Sequence, residues 1–107
     1  MRRATCALLA GLCLGVSVSA GAAGDAASAR RGLKIVDQWC KLCHSIEGRE
    51  TNPDRAPTFA QVAERKGRTR KYFRMFLEQD HFPMPTYRLF EHEKRDVVAF
   101  LLWLQSE

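Results

Sequence analysis

Five adjacent residues hold the reactive chemistry of this chain. Cys40-Lys41-Leu42-Cys43-His44 places two thiols three residues apart and an imidazole directly after the second. Three kinds of site use such a set. A thioredoxin-like dithiol needs a βαβ context, and no strand-like alternation precedes Cys40. A structural zinc site needs about four ligands, and only Cys40, Cys43 and His44 cluster. Covalent haem attachment needs this pentapeptide: the thiols add to two vinyl groups as thioethers, and the histidine binds the iron. On a helix, residues i and i+3 share a face, so Cys40 and Cys43 can reach one edge of the ring while His44 swings beneath the iron. The motif therefore predicts one covalently bound haem c, with its iron held by His44.

The second axial position decides what such an iron does. Methionine opposite histidine fills the coordination sphere and raises the potential, which favours electron transfer over ligand chemistry. Met84, Met75, His81 and His92 are the candidates. Met84 is the expected ligand. It lies in Phe82-Pro83-Met84-Pro85, where two prolines exclude regular helix and stiffen the backbone that presents the thioether. Met75 reads as mid-helix packing. His81 and His92, in charged surroundings, read as solvated side chains.

These residues must be positioned by a small domain. The chain has 107 residues and a formal net charge of +5. Met1-Arg2-Arg3, an apolar run from Ala7 to Val18 and the small residues Ala20-Gly21-Ala22 follow the order of a secretory signal peptide. The run is shorter than the roughly 20 residues of a membrane span. The predicted organisation is a signal peptide over 1–22, a flexible lead-in over 23–31 and one domain over 32–107. No membrane span is expected in the mature form. Cys6 and Cys13 would leave with the signal peptide. The remaining residues, about 85 by that cut, carry a formal charge of +3. That excess is too weak by itself to imply nucleic acid. A domain this small buries a modest core, and a covalent haem would serve as both staple and core.

The periodicity predicts an all-α fold, four to five short helices around one haem. Leu33, Val36, Cys40 and Cys43 follow helical spacing from Gly32 to His44. Gly48, Asn52, Pro53 and Pro57 mark a loop. Thr58 and Gln61 form a capping-box pair that opens a helix running to Lys66, with Gly67 as terminator. Thr69 caps a further helix reaching Gln79. A last helix, rich in Val97, Val98, Phe100 and Leu101, spans Glu91 to Gln105 and lacks a good N-cap residue.

With an early Cys40–His44 motif, Ala56-Pro57-Thr58-Phe59 after it and Met84 between prolines, the chain resembles the class I (mitochondrial-type) c-type cytochromes in their short bacterial form. The resemblance covers about Gly32 to Gln105. It implies the cytochrome c fold, with Gly32 and Val36 on the first helix crossing Val97 and Phe100 on the last. It also implies that the Pro57 carbonyl accepts a hydrogen bond from the His44 ring, fixing its tautomer. The charged loop of Glu47, Arg49, Glu50, Asp54 and Arg55 departs from the family pattern, as does Trp39 before Cys40.

Arg65, Lys66, Arg68, Arg70, Lys71 and Arg74 fall within ten residues. Two readings stand: a solvated helical surface, or a docking patch for acidic redox partners. The leading function is a periplasmic one-electron carrier, or a haem subunit passing electrons from a periplasmic dehydrogenase to the respiratory chain, with redox proteins such as a dehydrogenase or terminal oxidase as partners. The alternative is a haem-based ligand sensor with a vacant or weakly held distal position. An enzyme ranks last, because His81 is the only nearby acid–base group.

Overall fold

The computed structural model describes Gly15, the backbone from residue 20 to residue 80 with side chains from residue 25, and residues 89–107. Among the described residues the fold is all-α. It consists of α1 (Ala20–Ile35), a π-helical turn (Val36–Cys40), α2 (Phe59–Glu64), α3 (Arg70–Phe76) and α4 (Glu91–Ser106). No described helix is long and apolar enough to cross a membrane.

α1 and α4 form the frame. Ala29, Gly32 and Val36 recur at helical spacing and are buried against α4. A Cβ on Gly32 would lie 2.9 Å from the Phe100 Cβ and would collide with the Asp96 carbonyl oxygen. Glycine is what allows the two backbones to approach this closely. Val36, Phe59, Phe73, Val97, Val98, Phe100 and Leu101 make one apolar core to which every helix contributes or abuts. Phe59 meets Phe100 edge-on, with ring centroids 6.3 Å apart.

The segment 23–31, expected as a flexible lead-in, is part of α1. Its burial comes from small and polar side chains, so it lacks an apolar stripe. Ala29 is 6% exposed. Arg31 grips the Asp96 carboxylate with Nε at 2.8 Å and Nη2 at 3.0 Å, and Ser28 Oγ donates to the same group. Asp96 is 5% exposed, and these partners are what make burying a carboxylate tolerable.

The first helix also ends before His44. At Val36 the hydrogen bonding widens, and Lys41 N donates to Val36 O at 3.0 Å across five residues. Such turns interrupt α-helices frequently at functional sites.

α2 opens on the predicted capping box. Thr58 Oγ1 accepts from Gln61 N, and Gln61 Oε1 accepts from Thr58 N at 3.0 Å. It ends at Glu64 rather than Lys66, because Arg65 turns extended (φ −66°, ψ 140°). Gly67 then reverses the chain at φ +76°. Thr69 caps α3, whose regular part stops at Phe76, short of Gln79. α4 begins after Phe90, which has no capping side chain; instead Glu93 Oε2 accepts from Phe90 N at 2.8 Å. Lys94, mostly buried, binds Glu78 at 2.9 Å and Glu91 at 3.0 Å, tying the end of α3 to the start of α4.

Candidate haem site

Cys40 closes the π turn and Cys43 lies in the turn that follows it. Cys43 N and His44 N both donate to Cys40 O, at 3.2 and 2.9 Å. The pentapeptide is thus one compact turn at the end of the first helix. Its register is set by the buried Val36 and by the Lys41–Asp37 ion pair at 2.9 Å. The two thiols are not bonded to each other. Cys40 is half-buried and Cys43 exposed; burial raises the Cys40 thiol above its ordinary pKa and keeps it protonated.

His44 is held from two sides. Its Nδ1 lies 2.7 Å from the Pro57 carbonyl oxygen. A carbonyl can only accept, so Nδ1 carries the proton and Nε2 keeps its lone pair for a metal. The Phe59 ring, centroid 5.0 Å away and tilted by 38°, packs against the imidazole. Both partners are fixed by the start of α2. Phe59 N donates to Ser45 O at 2.9 Å and Ala60 N to Ile46 O at 3.2 Å. The helix's otherwise unpaired first amides therefore pin the residues directly after His44.

The charged loop between His44 and Pro57 folds back on the same cap. Thr58 Oγ1 donates to Gly48 O at 2.9 Å, and Gln61 Nε2 donates to Glu50 O at 3.0 Å. Glu50 Oε1 accepts from the amides of Thr51 and Asn52, so this acidic residue is a local turn-former. Phe59 and Gln61 were not singled out as site residues from the sequence. The capping-box spacing was the signal that could have placed them beside His44.

Met84 and His81 lie outside the described residues. Met75 is 56% exposed on α3. His92 is exposed and stacks on Phe90, ring centroids 5.8 Å apart. The basic stretch is not uniform. Arg65, Lys66, Arg70, Lys71 and Arg74 are exposed, while Arg68 lies with its Cζ 4.0 Å above the Tyr72 ring.

Among the described residues no strand occurs, and no three His, Cys, Asp or Glu side chains come together to hold a metal. Among the described residues, neither a dithiol-enzyme context nor a zinc cluster is present. A separate pair of thiols in one turn, beside a histidine with Nε2 available, fits covalent haem. When bound, haem supplies a one-electron iron couple.

The comparisons agree. The family model for cytochrome c matches residues 29–105. Cytochrome c-552 of Bradyrhizobium diazoefficiens is 32% identical over 95 residues, covering 87% of this chain and 91% of that protein. No solved structure is a significant match. The chain belongs to the cytochrome c family: it is an electron-transfer protein of all-α fold that carries covalently bound haem c, and it is not an enzyme.

Proposed function

We propose that this protein is an exported, periplasmic one-electron carrier whose haem is attached through Cys40 and Cys43 and whose iron is bound by His44 and Met84. The observation that carries the reading is the 2.7 Å hydrogen bond between His44 Nδ1 and Pro57 O. It selects the tautomer with Nε2 as ligand and makes the imidazole a stronger donor. Pro57 and Phe59 hold that ring still, so little has to reorganise when the charge on the iron changes. In this proposal residues 1–22 direct export and are removed.

The partner is a periplasmic dehydrogenase or terminal oxidase that presents an acidic surface to Arg65, Lys66, Arg68, Arg70, Lys71 and Arg74. Opposite charges would steer the encounter, an effect that fades with salt. Neutralising Lys66 and Lys71 together should slow reduction by an acidic partner at low salt. An unchanged rate would remove the docking role from this stretch.

The test of the iron ligation is the optical spectrum of Met84→Ala. Loss of the weak far-red Met–iron band, with covalent haem retained, is the expected result. A band that survives, or that was absent before substitution, would favour the ligand-sensor reading. Mass spectrometry of the exported protein should find an N-terminus near Ala23 and haem retained after denaturation.

A further inference from the structure

Three helices that the sequence reading treated separately converge on a basic cleft. Arg31 comes from α1, Arg70 and Arg74 from α3, and Arg95 from α4. Val98 and Ala99 line the cleft below them, and its volume is about 370 Å³, within the range of small-molecule sites. We propose that this cleft binds a small phosphate-type polyanion, with Arg70, Arg74 and Arg95 as its ligands.

The four guanidiniums are not equally committed. Arg31 is occupied by both oxygens of Asp96. Arg74 holds Glu91 only at 3.4 Å, a long contact between exposed side chains that can be given up cheaply. Among the described residues Arg70 and Arg95 make no side-chain hydrogen bond, although Glu91 lies near enough to Arg95 to feel its charge. Three side chains with five donors each therefore face one concavity with few acceptors to meet them. Their mutual repulsion, screened in part by water and salt, is further relieved by counter-charge. Among the described residues Asp96 is already paired with Arg31, and Glu91 is shared between Lys94, Arg74 and the nearby charge of Arg95, while Asp25 is a further carboxylate lining the cleft and His92 a further ring nitrogen.

The shape favours a small ligand over a partner's side chains. A diphosphate concentrates several charges in a body that three guanidiniums, two from α3 and one from α4, can grip bidentately. A protein carboxylate brings one charge and must enter a concavity. Such a ligand would join α3 to α4, and by binding only the folded state it would stabilise them.

The test is calorimetric titration of the haem-loaded protein with sodium pyrophosphate at constant ionic strength. Saturable 1:1 binding is expected, weakened at least tenfold by Arg95→Gln and tightened by Asp25→Asn. Arg95 lies outside the 65–74 stretch proposed for partner docking, so the two proposals fail separately. Should Arg95→Gln not fold, judged by its visible spectrum and melting, Arg95→Lys keeps the charge without the fork and should bind several-fold more weakly than wild type. The proposal is overturned by no saturable binding, or by equal binding in wild type and the Arg95 variants. Preference for an oligo-glutamate peptide over pyrophosphate, with the same dependence on Arg95, would also overturn it and assign the cleft to a protein partner.

Discussion

The absent side chain of Gly32 is matched to the backbone of Asp96, so the first and last helices touch main chain to main chain. Alanine at an exposed helical site would be favoured over glycine by up to about 1 kcal/mol. Here the added methyl would meet the Asp96 carbonyl, which cannot rotate away, and the Phe100 Cβ at 2.9 Å. Overpacking of this kind costs about 1–3 kcal/mol and occasionally more. Gly32→Ala should therefore lower the denaturation midpoint of the haem-loaded protein by the equivalent of about 3 kcal/mol. A midpoint equal to or above wild type would show that the helices can separate without loss.

The same crossing should be sensitive to acid. Hydrogen bonds from Arg31, then from Ser28, hold the Asp96 carboxyl below its ordinary pKa, against the effect of burial. A depressed folded pKa gives stability that is full above the unfolded value, near 3.9, and that is lost as pH falls through the folded one. Stability should thus decline below about pH 4. Asp96→Asn should be less stable at neutral pH and show a shallower decline in acid. Denaturation midpoints from pH 2 to pH 7 would reveal it, and parallel acid limbs in the two proteins would contradict the assignment.

How much of this was readable beforehand differs from residue to residue. The Cys40–His44 spacing specified its chemistry because the cofactor itself sets the spacing. Thr58 and Gln61 could be read because a capping box is local, closed within four residues. Gly32 and Phe100 were placed by family resemblance and not by periodicity. The first part of α1 was not legible. Its packing depends on Ala29, which carries little apolar signal, and on Ser28 and Arg31 reaching an aspartate 68 and 65 residues away. The π turn left no mark in the apolar pattern, since Val36 and Cys40 suit an α-helix equally well. The early end of α2 reflects an extended Arg65, whose backbone its side chain does not dictate.

The α2 cap should matter more than an exposed cap would. Thr58 is 3% exposed, and its hydroxyl both accepts from Gln61 N and donates to Gly48 O. Losing a cap costs about 0.5–2 kcal/mol, and Gly48, an exposed residue, can pair its freed carbonyl with water. Thr58→Ala, at a buried cap, should destabilise the protein by about 2 kcal/mol, the upper end of that range. Thr58→Ser should restore most of it. If alanine and serine behave alike, the hydroxyl is not what joins the loop to α2.

The cap also bears on the iron, through Pro57. In the proposed ligation, the bond from His44 Nδ1 to the Pro57 carbonyl pushes electron density onto Nε2, which favours the oxidised, more positive iron. That lowers the potential. Pro57→Ala keeps the carbonyl but frees φ, so the peptide group is less well fixed behind the ring. The weakened bond should raise the potential, by less than the 59 mV that corresponds to a tenfold change in a one-electron equilibrium. Met84 is untouched by the substitution, so the Met–iron band should stay in place while the potential moves. Protein-film voltammetry and an optical spectrum of the same sample would separate the two effects. A potential that stays fixed or falls would mean that the 2.7 Å contact orients His44 without tuning it.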